Sequence, residues 1–367
     1  YQECVAVLEE QLGVPPQEAT AELYTAIKAG RAPPLPEEGG EQEGLLPPDR
    51  LLDPGAEPPS FLEGEQPVEM PLFVAREREL AQLDGYLDAA LAGQGKVVFV
   101  TGDAGSGKTA LIQEFARRAQ EVYMDLSVAS GNCSAHTGVG DPYLPFREVL
   151  GLLTGNVEAQ WAAGAMTRDH ARRLWNTLPL TAQALVGAGQ DLIDTFVPGT
   201  ALVDRALACT PSRPDWLTRL AEIVERTRHA GTGMPSTQQS ALFEQYTQVL
   251  RVLARQRPLL LALDDLQWAD GGSINLLFHL GRRIEGSRIL IAGAYRPAEV
   301  ALGRSTYPQA EGERERHPLQ PVVNELKRYF GDIEVDLERA EKRQFVDAFL
   351  DSESNRLGAG FRETLYK

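Results

Sequence analysis

Cysteine is scarce in this 367-residue chain, which holds only Cys4, Cys133 and Cys209. Their odd number and wide spacing exclude a disulfide framework and fit free thiols in a reducing cytosol. The five histidines show no metal-ligand spacing with cysteines or acids, so no zinc site is expected. No apolar run approaches the roughly 18 residues that a membrane helix needs. The first residues are not a basic-then-apolar leader either, and the expected location is cytoplasmic. Because residue 1 is tyrosine, the chain is expected to be a piece of a longer polypeptide. Basic residues are also outnumbered: 36 Lys and Arg face 52 Asp and Glu, a net charge of −16. Attraction to nucleic-acid phosphates needs a concentrated cationic face, so DNA binding would belong to a domain outside this chain.

What remains is enough for a folded enzyme-sized core. Hydrophobic residues make up 43% of the chain, and its length predicts two or three domains. Residues 1–30 read as two short helices: Tyr1, Val5, Leu8 and Leu12 keep helical spacing, Gly13 suits a C-terminal cap, and Pro15-Pro16 open the next helix. One αα-hairpin cannot bury its own face, so it would stack on upstream helical repeats. Residues 31–70 carry nine prolines and ten acids against two bases. Such a stretch buries too little apolar surface to offset its ordering entropy and reads as a mobile linker.

From Pro71 the pattern becomes α/β. Strands are expected at Lys96–Thr101, Leu126–Cys133, Leu259–Asp264, Arg288–Ala294 and Ile333–Leu337, with helical stretches between them as parallel crossovers require. Residues 156–255 are too long for one crossover helix and read as a helical insertion, with Trp161 and Trp175 in its core. Residues 338–367 begin a further helical segment.

The strongest chemical signal follows the first strand: Gly102-Asp103-Ala104-Gly105-Ser106-Gly107-Lys108-Thr109, then Ala110. Glycines let successive N–H groups turn inward on phosphates, and the following helix N-terminus adds a favourable dipole. Lys108 would reach the β/γ-phosphates and the Thr109 hydroxyl would hold Mg²⁺. The cofactor expected is therefore ATP or ADP with Mg²⁺. The run Leu259 to Leu263 then reads as a buried parallel strand ending in Asp264-Asp265, where ligands sit in open α/β sheets. Asp264 would partner the Mg²⁺ held by Thr109, and Asp265 could orient or deprotonate an attacking water. After the strand ending at Ala294 comes Tyr295-Arg296-Pro297, whose guanidinium could fork onto a γ-phosphate and sense its presence.

Two resemblances add to these readings. Tyr1-x-x-Cys4 with Leu8-Glu9-Glu10-Gln11-Leu12-Gly13-Val14-Pro15-Pro16 resembles the last hairpin of the bacterial transcriptional activator domain, a helical-repeat module that usually follows a winged-helix DNA-binding domain. From residue 71, four segments together resemble the AAA-type ATPase module of the signal transduction ATPases with numerous domains (STAND). These are Pro71 to Leu80, the glycine loop, Leu259 to Asp265 and Tyr295-Arg296. Gly138 to Phe146 and Asp264 to Asp270 are similar to the branch found in large bacterial transcriptional regulators. This resemblance implies a P-loop NTPase of three α/β/α layers with a parallel five-stranded sheet in order 5-1-4-3-2. It also implies that Phe73, Val74 and Arg76 lie beside the adenine, and that Arg296 is a first sensor. Ala75 stands where the family usually has glycine. The family's winged-helix lid and second sensor would follow the last residue here.

The implied function is an ATP-binding, slowly hydrolysing regulatory switch, self-associating in its ATP state. Two other classes stay open on the residues alone: a motor or metabolic ATPase, and a non-hydrolysing nucleotide-binding scaffold. Asp265 argues against the scaffold and the hairpin at 1–30 against the motor.

Overall fold

The computed structural model describes residues 59, 61, 76–134, 142–210, 214–229, 239–303 and 316–338. All of them belong to one compact unit, Pro47–Lys367. The hairpin expected at 1–30 and the segment after Glu338 lie outside the described residues.

Five parallel strands form one sheet among the described residues: β1 Lys96–Thr101, β2 Ser127–Asn132, β3 Leu259–Asp264, β4 Ile289–Tyr295 and β5 Glu334–Asp336. Their spatial order is β2-β3-β4-β1-β5, which read from the other edge is the implied 5-1-4-3-2. β1, β3 and β4 are apolar and buried along nearly their whole length, as strands covered on both faces must be. β1 and β3 keep the expected bounds. β2 is shorter by a residue at each end, and β4 shifts by one to take in Tyr295, which is buried and donates its hydroxyl to Glu334 on β5 (2.8 Å).

Helices α1 (Glu77–Leu91) and α2 (Lys108–Val122) pack side by side on one face. Leu80, Leu83 and Leu87 of α1 recur at helical spacing, as do Leu111, Phe115 and Ala119 of α2, and they enclose Val98, Val100, Leu260 and Leu290. A fully buried Leu, Val or Phe contributes about 1.5–3 kcal/mol, so this packing is what fixes α2 against the sheet. The other face carries α3 (Leu144–Leu153), α9 (Gly271–Gly281) and α11 (Leu319–Phe330). Short α10 (Pro297–Leu302) follows β4 directly. The result is the three-layer α/β/α architecture.

Between α3 and β3 lies a helical layer of α4 (Glu158–Ala162), α5 (Arg168–Ala188), α6 (Gly199–Cys209), α7 (Asp215–His229) and α8 (Gln239–Gln256). Helix α5 is its spine and meets the edge strand β2 through His170 Nε2 to the Val128 carbonyl (2.9 Å) and Thr177 to Ser127 (3.4 Å). Thr167 caps α5 by accepting from the His170 amide. Pro179 sits inside α5 and cannot donate to the Trp175 carbonyl, which instead faces the Cys209 thiol at 3.9 Å. Cys133 and Cys209 are both free and buried, and burial pushes the Cys209 thiol up to about 11.

Trp161 and Trp175 are both buried. Within the stretch read as a linker, Phe61 is tied to both: its carbonyl accepts from the Trp161 indole (2.9 Å) and its ring stands edge-on to Trp175. One aromatic residue among the prolines and acids is therefore anchored.

β2 can approach α3 closely only because residue 131 is glycine. A Cβ there would sit 2.0 Å from the Pro145 carbonyl oxygen, against backbone that cannot swing away. Gly131→Ala is expected to destabilise the fold by about 1–3 kcal/mol, the usual cost of overpacking, read as a lower urea midpoint. An unchanged midpoint would contradict this packing of β2 against α3.

Candidate functional site

The glycine loop leaves the carboxyl end of β1 and enters α2 at Lys108. Gly102 (φ 154°), Gly105 (φ 76°) and Gly107 (φ 88°) all adopt positive φ, which a side chain would resist. Gly107 is the N-cap of α2 and makes no side-chain cap, so the first-turn amides keep their open ends for an anion. Asp103, Ala104, Gly105, Gly107 and Thr109 are exposed, Ser106 and Ala110 are partly so, and Gly102 is buried.

Lys108 is itself buried, and its ammonium lies over the loop: it donates to the carbonyls of Gly102 (3.0 Å) and Asp103 (2.7 Å) and to Ser106 Oγ (3.4 Å). Burial is the main cause that lowers its pKa, and Arg296 adds to it, while Asp264, Asp265 and Asp103 oppose the shift. A desolvated cation among neutral carbonyls is a receptor for an anion.

Across the sheet, Thr109 Oγ1 donates to Asp264 Oδ2 at 2.5 Å, joining the start of α2 to the end of β3. A hydroxyl and a carboxylate in contact are the hard oxygen donors that Mg²⁺ takes alongside phosphate oxygens and water. The donor set therefore fits that ion. Among the described residues no group of three or more His, Cys, Asp or Glu forms a self-sufficient metal cage.

The chain turns sharply after β3. Asp265 is left-handed (φ 53°), a conformation that aspartate tolerates better than most residues, and its amide donates to Asp264 Oδ1 (2.8 Å). Gln267, in the short helical turn Leu266–Trp268, donates Nε2 to Asp265 Oδ1 (2.7 Å). Arg296, at the end of β4, lies 3.8 Å from the same Oδ1 and pairs more closely with Glu299 (2.6 Å). Its Nε is buried without a hydrogen-bond partner, a donor left over for a ligand oxygen.

Arg76 approaches the loop from the side. It is buried and donates to the Ser106 carbonyl (3.3 Å) and to the Leu337 carbonyl beyond β5 (3.2 Å), while Glu79 accepts from it at 3.1 Å. In this structure it braces the loop against the sheet edge. Phe73 and Val74 lie outside the described residues. The parallel sheet thus brings together Lys108, Thr109, Asp264, Asp265 and Arg296. Sequence reasoning missed Gln267 and the brace that Arg76 makes. A cavity of about 460 Å³ runs between α2 and the start of α5 and touches the site at Thr109 and Asp264, but its lining includes neither Lys108, Asp265 nor Arg296.

A glycine loop at the end of β1, a lysine over it, and acids at the end of β3 in a 5-1-4-3-2 sheet define a P-loop nucleotide-binding module. The chain belongs to the AAA ATPase domain family: residues 72–291, more than half of its length, match that family's model. It is also similar to an uncharacterized protein of Rhizobium meliloti (strain 1021), at 25% identity over 226 residues. That alignment covers 62% of this chain and 19% of the relative, so the chain spans about a fifth of that protein's length. Among the described residues no helix is long and apolar enough to cross a membrane.

Lys108→Ala removes the cation that lies over the loop. Its affinity for MgATP is expected to fall by at least ~10-fold, since a charge-assisted bond contributes about 1.5–3 kcal/mol. Calorimetric titration checks this, and equal affinities in the two proteins would remove the phosphates from this loop.

Proposed function

We propose that this chain is the ATP-binding, slowly hydrolysing switch module of a multidomain transcriptional regulator of the STAND class. The observation that carries this reading is Arg296, which combines a buried, unpartnered Nε with a contact to Asp265 at the end of the strand beside the loop.

Gly102 to Ala110 would wrap the phosphates, with Lys108 on the β- and γ-oxygens. Thr109 and Asp264 would hold Mg²⁺, which when bound neutralises charge on those oxygens. Asp265 would orient a water and take its proton. Arg296 would leave Asp265 and Glu299 for the γ-phosphate, so that the terminal phosphate changes which groups it joins. A ligand shifts a conformational equilibrium only through contacts that differ between the two states, and this exchange is such a contact. With Arg296 resting near Asp265 the base is partly engaged, which suits slow turnover. The side of Arg76, Phe73 and Val74 would face the adenine.

The larger role rests on the resemblances at residues 1–30 and 71–367. ATP would favour self-association, DNA would be read by a domain outside this chain, and the protein would work in the cytoplasm. Rapid basal turnover with no change of association state would instead favour a motor or metabolic ATPase.

The two acids have different tasks here and separate on mutation. Asp265→Asn is expected to keep ATP affinity within ~3-fold while lowering kcat at least ~100-fold, the scale of a lost general base. Asp264→Asn is expected to weaken ATP binding in the presence of Mg²⁺ and to leave Mg²⁺-free binding little changed. Matching defects in binding and phosphate release would refute this division.

Arg296→Ala addresses the switch. It is expected to lower the preference for ATP over ADP by ~10-fold or more, the scale of one charge-assisted bond, with ADP affinity nearly unchanged. ADP affinity falling as far as ATP affinity would place Arg296 away from the γ-phosphate.

A further inference from the structure

We infer that Gln267 is a positioning residue that couples the acid Asp265 to the sensor Arg296 through one side-chain amide. The inference rests on the ATPase reading above and extends it to a residue which that reading does not use.

Gln267 is 2% exposed. Its Nε2 donates to Asp265 Oδ1 (2.7 Å), and its Oε1 accepts the backbone N–H of Arg296 (3.2 Å). The orientation of the amide follows from its partners, because an ionised carboxylate only accepts and a backbone N–H only donates. The planar group therefore spans the ends of β3 and β4 in one way round. Among the described residues both side-chain contacts to Asp265 fall on Oδ1, from Gln267 and Arg296. Oδ2 receives none and is left for the proton of a water.

The amide is anchored from behind. The carbonyl of Gln267 accepts from His317 Nε2 (2.9 Å), and His317 Nδ1 accepts the Leu319 amide at the start of α11 (3.2 Å). These partners put the imidazole proton on Nε2. His317 is also 2% exposed, so a buried ring pins the turn that carries Gln267. Asp265 is fixed on its other side by its left-handed backbone and its N–H to Asp264.

A rigid donor–acceptor group between two strand ends makes their positions interdependent. When Arg296 moves onto a γ-phosphate, its backbone carries the Oε1 end of Gln267, and the Nε2 end turns the Asp265 carboxylate. The base is then aligned when the terminal phosphate is held and misaligned when it is absent.

Two variants dissect the bridge. Gln267→Glu keeps an acceptor for Arg296 and turns the donor facing Asp265 into a like charge; Gln267→Leu removes both ends at similar volume. Each is compared with wild type in steady-state ATP hydrolysis and in calorimetric titration with ADP and a non-hydrolysable ATP analogue. Gln267→Leu is expected to lower kcat by ~10–100-fold with KM for ATP within ~3-fold, and to reduce the preference for the ATP analogue over ADP. Gln267→Glu is expected to lose turnover equally and to keep that preference. Melting temperatures within a few degrees of wild type separate this pattern from general unfolding. Wild-type kcat in Gln267→Leu, or an equal loss of ATP preference in both variants, overturns the bridge. A wild type that hydrolyses no ATP overturns the ATPase reading instead, and the binding comparison, which needs no turnover, still decides the coupling.

Discussion

The parallel register of β3, β4 and β1 is the constraint on which every functional contact depends. Thr101 pairs with Tyr295 and Leu263 with Gly293, so the three strands finish almost level. The residues that follow, Gly102, Arg296 and Asp264, therefore emerge at one edge of the sheet, where ligands collect in open α/β folds. In a sheet covered on both faces, a slip of one residue exchanges the side chains pointing up and down. The apolar packing of Val98, Val100, Leu260 and Leu290 against α1 and α2 opposes such a slip. Core energy is in this sense what sets the distances in the site.

Within that frame the loop carries an unresolved electrostatic demand. The Lys108 ammonium is buried, and its contacts in the loop are two carbonyl dipoles and a hydroxyl. Burial first, and the Arg296 charge with it, disfavour its charged form more than the nearby acids favour it, so the shift is downward. A phosphate would supply a full opposing charge at short range, worth more than dipoles in a low-dielectric site. The glycine conformations and the uncapped first turn of α2 point the same way. The loop's conformation thus suits an anion, which is what its glycines are there to permit.

Much of this was legible in the chain itself. The glycine loop, Lys108, Thr109 and the Asp-Asp pair are local in sequence, and their chemistry follows from neighbouring residues. β1 and β3 announce themselves as unbroken apolar runs, whereas β2, reading Ser127-Val128-Ala129-Ser130-Gly131-Asn132, is polar enough to blur its ends. The strand order came from the resemblance and not from periodicity. Gln267 was illegible because its meaning lies in Arg296, 29 residues later, and in His317 beyond that. Arg76 reads as a charged helix start, and only the tertiary fold brings it to Ser106 and Leu337. Phe61 shows the complementary limit: a reading by average composition passed over one ring that packs.

Two adjacent carboxylates can hold different tasks only if the backbone separates them. Asp264 is still in β3, and its side chain crosses toward α2 to meet Thr109. One residue later the chain is left-handed, and Asp265 meets Gln267 of the following turn and Arg296 at the end of β4. The conformational cost of that single residue, of order 1 kcal/mol, directs one carboxylate to a hydroxyl and the next to a guanidinium. Like charges so close would otherwise compete for the same cation. Here Lys108 feels both acids while each has a partner of its own, Thr109 for Asp264 and Gln267 with Arg296 for Asp265, so their contacts stay separate. The kink after β3 is thus as necessary to the site as either acid.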